Sequence, residues 1–188
     1  KLGGPDSQVI EIMGDKIRAK GLIESLGVPV VPGYTGDIND QEHIEGIVEE
    51  IGYPVIVKAT AGGGGKGMRV VQDKGELWDS VISAQNEAEF AFGNGEVFIE
   101  KYLQKPRHIE VQVFGDGKGK VVHLYSRDCS LQRRYQKIVE EAPARNLPED
   151  KLNEIQEICV RACSELKYEG AGTLEFLYEN NKFFFIEM

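Results

Sequence analysis

The stretch VIVKATAGGGGKGMRVV, Val55 to Val71, sets four consecutive glycines between two runs of β-branched residues. Both flanking runs read as strand, so the pattern predicts a hairpin around a glycine loop. A Walker loop requires G-x-x-x-x-G-K followed by Ser or Thr, but Gly65-Lys66 is followed by Gly67, and Thr60 stands where the first glycine belongs. Gly62, Gly64 and Gly67 satisfy G-x-G-x-x-G, yet a dinucleotide fold opens a helix at that point, and MRVV opens a strand. What remains is a flap whose backbone N–H groups approach an anion without Cβ interference. Lys58 at the end of the first strand and Lys66 in the loop add positive charge. The plain alternative is a surface hairpin with solubilising lysines. A glycine run costs about 0.5–1 kcal/mol per residue in chain entropy, which weighs against an idle one.

Working outward, 188 residues with 41% hydrophobic content suffice for a buried core, as one domain or two small ones. Twenty-two Lys and Arg against thirty-one Asp and Glu give a net charge of −9. That sign opposes a protein built to grip duplex DNA, so any cationic site must be local. Cys159 and Cys163 stand four apart on an expected helix and cannot bridge, and Cys129 has no evident partner. The three read as buried thiols of a reducing compartment. There is no apolar run of about 20 residues and no signal-peptide core, so the expectation is a cytoplasmic protein without membrane contact. The chain lacks an initiator Met and stops on FFFIEM, inside a strand-like run, as expected of a piece of something larger.

GDKIRAKGLIESLG predicts a short helix capped by Asp15, and DQEHIEGIVEEIG a second one, each stopped by glycine. VPVVPG reads as an edge strand, YPVIVKA and MRVV as strands, and GELWDSVISAQNEAEFAF as a longer helix. EVFIEKYL predicts a strand, RHIEVQVFGDGKGKVVHLYSRDC a hairpin, and QKIVEEAP a further strand. In PEDKLNEIQEICVRACSELK the residues Leu152, Ile155, Ile158, Cys159, Ala162, Cys163 and Leu166 form a helical stripe. The class is therefore α+β with mostly antiparallel sheet. The expected division is a helical linker segment over 1–29, a small α+β lid carrying the flap over 30–102, and the first part of a central sheet domain over 103–188.

GTLEFLYENNKFFFIEM reads as a hairpin whose register follows from side-chain pattern. A three-residue loop Asn180-Asn181-Lys182 sets Leu174 opposite Met188, Phe176 opposite Ile186 and Tyr178 opposite Phe184, one wholly apolar face. Glu175 then faces Glu187. Two carboxylates ~5 Å apart repel unless a cation lies between them, and a divalent metal with a nucleotide's phosphates suits such a pair. A solvated pair is the alternative. RDCSLQRRYQKIVEE concentrates Arg127, Arg133, Arg134 and Lys137 in an acidic chain, a patch that suits a small polyanion better than nucleic acid.

In order and spacing, MGDK, GYPVIVKATAGGGGKGMRVV, FIEKYL, PRHIEVQV, RDCSLQRRYQKIVEEAP, GAGTLEF and FFFIEM resemble the biotin carboxylases, ATP-grasp enzymes of the biotin-dependent carboxylases, over essentially the whole chain. The resemblance implies an ATP-grasp fold with nucleotide held between a lid and a central domain. It implies ATP contacts at Lys16, Lys58, Gly64, Gly65, the segment Glu100, Lys101, Tyr102 and Leu103, and at His108 and Gln132. Tyr135 stands where many members have a histidine near the ribose, and a phenol cannot titrate near neutral pH. Glu175 and Glu187 match the family's metal ligands, for Mg²⁺ or Mn²⁺, and Lys137 a lysine that binds bicarbonate. The family's following N-x-R-x-Q-V-E-H segment, with the bicarbonate arginine and catalytic base, is not in this sequence.

The implied reaction is attack of bicarbonate on the γ-phosphate of MgATP, then transfer of CO₂ to biotin. The biotin is borne on a carboxyl carrier protein and serves a carboxyltransferase, as in the acetyl-CoA carboxylase of fatty acid biosynthesis, and the intact enzyme is expected to be a homodimer. These 188 residues alone are expected to be inactive. Another ATP-grasp ligase and a non-catalytic ATP-binding module are the rival readings.

Overall fold

The computed structural model describes residues 3–61, 67–133 and 136–188. The chain divides into two compact units, Val31–Gln104 and the residues up to Val30 together with Lys105–Met188.

It opens with α1 (Ser7–Gly14) and α2 (Lys16–Ser25), each started by an aspartate whose carboxylate accepts two backbone N–H bonds. Asp6 caps the first and Asp15 the second. The helix expected after the Asp15 cap is α2; the sequence reading has no α1, although Val9 and Met13 of α1 pack against the core of the larger unit. Ile23 and Val28 lie in the core of the larger unit, and Pro29 accepts from the Phe185 N–H at 2.8 Å. Ile23 and Val28, within the stretch expected as a linker, thus take part in that unit's packing.

The smaller unit holds β1 (Gly33–Tyr34), α3 (Gln41–Ile51), β2 (Val55–Ala59), β3 (Met68–Val71), α4 (Lys74–Phe92) and β4 (Val97–Lys101). Its antiparallel sheet has the order β1-β4-β2-β3. Val55, Val57, Ala59, Val97 and Ile99 pack on Ile44 and Val48 of α3 and on Leu77, Val81, Ala84 and Ala88 of α4. Pairing runs from Val55 with Val71 to Lys58 with Met68, so the strands flanking the glycine run form the expected hairpin. Gly64 and Gly65 lie outside the described residues.

The larger unit continues with β5 (Arg107–Asp116), β6 (Val121–Asp128), β7 (Gln132–Arg133), β8 (Gln136–Lys137), α5 (Glu149–Glu165), β9 (Glu169–Glu179) and β10 (Lys182–Glu187). The main sheet is antiparallel in the order β10-β9-β5-β6, and β7 pairs with β8. Ile155, Cys159, Ala162 and Cys163 of α5 cover Ile109, Val111, Val113, Leu174 and Phe176, and the three cysteines are buried free thiols. In QKIVEEAP only Gln136–Lys137 is strand, and Ile138 and Val139 are exposed.

The last hairpin differs from its predicted register. Its loop is the two-residue turn Asn180-Asn181, both at positive φ (52° and 61°), which sets Tyr178 opposite Phe183 and Phe176 opposite Phe185. Asparagine tolerates the left-handed conformation, and a turn of two such residues matches the twist of a hairpin. A bulge at Ile186 then shifts the pairing by one, and Glu187 returns to face Glu175. The carboxylate pair forms as expected, by a bulge rather than by a three-residue loop.

Candidate functional site

Antiparallel register sets Glu187 of β10, Glu175 of β9, Glu110 of β5 and Arg127 of β6 in one row across the main sheet. Directly opposed residues share a face, so three carboxylates stand side by side. Glu187 is exposed. Glu110 is only 2% exposed, and a charge so placed demands partners. Arg127 donates to Glu110 Oε2 from Nε and Nη2, at 3.1 and 2.8 Å, and is itself held by Gln112 and Thr173. Lys137, brought in by β8, donates to Glu175 Oε1 at 2.8 Å and to Glu110 Oε1. The ammonium thus occupies the gap between two like charges that would otherwise repel.

Burial opposes the charge on Glu175, but hydrogen bonds from His108 and Lys137 outweigh it and bring the carboxyl down to about 2. Burial likewise opposes charge on Lys137, and its bonds to Glu110 and Glu175 override that and raise its pKa. Burial, and then Glu110, push the Cys129 thiol up to about 12, so it is no nucleophile.

His108 shares the face of Glu110, two residues away on β5. Its Nε2 lies 2.6 Å from Glu175 Oε2, and Gln132 Nε2 lies 2.7 Å from its Nδ1. The ligand atoms of His108, Glu110 and Glu175 all lie within 4.8 Å of one another. The carboxylate oxygens already stabilise a cationic group, and such hard donors fit Mg²⁺ or Mn²⁺.

In the smaller unit Lys58 donates to Glu100 Oε2 at 2.7 Å. Ile56 pairs with Glu100, so Lys58 is its diagonal neighbour on the same face. Glu100 is 6% exposed, and its carboxylate is engaged by Lys58. The side chain of Lys101 donates to the carbonyls of Gly52 and Tyr53. The backbone N–H groups of Lys101 and Tyr102 are taken by Pro32 and Pro54, and Leu103 N–H has no backbone acceptor among the described residues. Lys16 opens the first turn of α2. Tyr135 lies outside the described residues.

The sequence-predicted residues therefore group as His108, Gln132, Lys137 and Glu175 in the larger unit and Lys58 with Glu100 in the smaller one. Sequence reasoning passed over Glu110. Its signal was a lone carboxylate amid Ile109, Val111 and Val113, on the same alternating face as His108 and Gln112.

The family model described as carbamoyl-phosphate synthase L chain, ATP binding domain, matches residues 15–188. The chain belongs to this ATP-binding domain family. Within that family it is 54% identical over 186 residues to a biotin carboxylase of Pseudomonas aeruginosa, covering 98% of this chain and 41% of the relative. It is 50% identical over 186 residues to a pyruvate carboxylase of Aspergillus niger, covering 98% of this chain and 16% of that one. Among solved structures, a biotin carboxylase complex with β,γ-ATP from Campylobacter jejuni matches with a TM-score of 0.90 at 49% identity, over 98% of this chain and 42% of that one. The biotin carboxylase domain dimer of the Hydrogenobacter thermophilus 2-oxoglutarate carboxylase, with MgADP, ADP and bicarbonate, matches with a TM-score of 0.89 at 47% identity, over 98% of this chain and 41% of that one. The chain spans about two-fifths of the length of the biotin carboxylases it matches. The resemblance read from its motifs, and the ATP-grasp fold of biotin carboxylase that it implied, both hold.

Proposed function

We propose that this chain is the nucleotide-binding portion of a biotin carboxylase, which uses MgATP and bicarbonate to carboxylate biotin on a carrier protein. The observation that carries the reading is the row of carboxylates with Lys137 between two of them, in a chain whose relatives are biotin carboxylases and biotin-dependent carboxylases.

Glu175 and Glu187 would hold Mg²⁺ or Mn²⁺, with Glu110 behind them as the buried anchor of Lys137 and Arg127. A bound divalent cation neutralises charge on phosphate oxygens. Lys137, kept charged by two carboxylates, is the group to meet bicarbonate. Lys58 supplies positive charge at the base of the glycine flap, and the flap amides of Gly64 and Gly65 would cradle phosphate. Leu103 N–H, with the carbonyls of Glu100 to Leu103, would read the base. Lys16, His108, Gln132 and Tyr135 complete the nucleotide contacts. Catalysis of phosphoryl transfer to bicarbonate is then chiefly positioning and charge neutralisation.

The carrier, the carboxyltransferase, a homodimeric assembly and a cytoplasmic setting belong to the same proposal. The relatives include pyruvate and methylcrotonoyl-CoA carboxylases as well as biotin carboxylases, so an acetyl-CoA carboxylase of fatty acid biosynthesis is one of several contexts it fits. Titration calorimetry with ATP and Mg²⁺ tests the reading. Binding that Lys58→Ala weakens at least tenfold, in a variant whose circular dichroism is unchanged, supports it, and no binding, or equal binding by the variant, defeats it.

A further inference from the structure

Gln132 does more at this site than offer an amide. We infer that it is a positioning residue that fixes the tautomer of His108, so that Nε2 always carries the proton and is withheld from any metal ion.

The loop after β6 is tightly held. Cys129 N–H donates to the His108 carbonyl at 2.8 Å, His108 N–H donates to Ser130 Oγ at 2.9 Å, and Asp128 Oδ1 accepts from the Ser130 N–H and hydroxyl. Asp128 is in turn gripped by Arg107. The Cys129 carbonyl is thereby fixed relative to the imidazole. It accepts from Gln132 Nε2 at 2.9 Å, and because a carbonyl can only accept, the amide must present its NH₂ group to it. The same NH₂ lies 2.7 Å from His108 Nδ1. A donor there requires a lone pair on Nδ1, so the ring proton sits on Nε2, aimed at the Glu175 carboxylate. The other tautomer would set N–H against NH₂ at one end of the ring and a lone pair against a carboxylate at the other.

A neutral imidazole binds metal through the nitrogen without the proton. Nε2, the nitrogen near Glu110 and Glu175, carries it, and Nδ1 is engaged by Gln132. His108 is thus removed from the three groups whose ligand atoms converge, and only carboxylate oxygens remain. Oxygen donors favour Mg²⁺ or Mn²⁺, whereas an added imidazole would favour Zn²⁺. The metal-selecting consequence rests on the proposed cation site at Glu175, while the tautomer assignment stands on hydrogen bonds alone.

Two-bond proton–nitrogen correlation spectra of the 188-residue chain read the tautomer directly. The Nε2–H pattern is expected for His108, and the Nδ1–H pattern overturns the inference. In Glu175→Gln, which removes the anionic acceptor but leaves the clamp, the Nε2–H pattern should persist, and a mixture of tautomers would show that Gln132 does not set it. Gln132→Ala, or Gln132→Met if volume is needed for folding, should tighten Zn²⁺ binding about tenfold or more by calorimetry. The added His108→Ala change should cancel that gain. Unchanged Zn²⁺ affinity, or a gain that survives loss of His108, overturns the inference. Mn²⁺ titration of Glu175→Gln separately probes the proposed cation site, since its failure there would leave the tautomer result intact.

Discussion

At the scale of single residues, the site is governed by Glu110, a carboxylate almost without solvent. Arg127 donates to its Oε2 from Nε and Nη2, and breaking a fully buried pair costs about 3–5 kcal/mol, an upper bound here because Lys137 stays on Glu110 Oε1. Arg127→Met should therefore lower the free energy of unfolding in urea by about 1–3 kcal/mol, and Glu110→Gln in the Arg127→Met background should restore part of it. Glu175 gives a second test. Its carboxyl is depressed in the folded state from 4.5 to about 2, so its stabilising effect is complete above about 4.5 and is lost as the pH falls towards about 2. Acid unfolding curves followed by circular dichroism should show this slope in the wild type and lose much of it in Glu175→Gln.

At the scale of elements, what the sequence disclosed depended on how local the cause was. The β2–β3 hairpin was legible because glycines between β-branched runs state it directly, and α5 because Ile155, Cys159 and Ala162 repeat on one face. The β9–β10 register was misread because burial alone was weighed, while the positive φ of Asn180 and Asn181 decided the turn and a bulge at Ile186 recovered the pairing of Glu175 with Glu187. The turn makes its own prediction. Asn180→Ala places a Cβ residue without asparagine's local hydrogen bonding at φ 52° and should cost about 1 kcal/mol in thermal or urea unfolding. Glu110 escaped notice because its partners, Arg127 and Lys137, lie 17 and 27 residues further on and reach it only through strand pairing.

At the scale of the whole molecule, a net charge of −9 coexists with a strongly cationic stretch, and the structure resolves the apparent conflict by tying Arg127 and Lys137 to carboxylates. The family was legible in the motifs because backbone-directed glycines and the GTLEF and FFFIEM strand ends are read in order along the chain. The mutual placement of His108, Gln132 and Lys137 was not, since it depends on the hydrogen bonds that hold the 128–130 loop to β5. The proposed function requires Lys58 for nucleotide affinity and Glu175 for the dependence of that affinity on Mg²⁺. Calorimetric titration with ADP in the presence and absence of Mg²⁺, on the wild type, Lys58→Ala and Glu175→Gln, tests it most directly. The account predicts Mg²⁺-enhanced binding by the wild type, an affinity loss of about tenfold or more in Lys58→Ala, and no Mg²⁺ enhancement in Glu175→Gln. Equal titrations for all three proteins, with or without Mg²⁺, would contradict it.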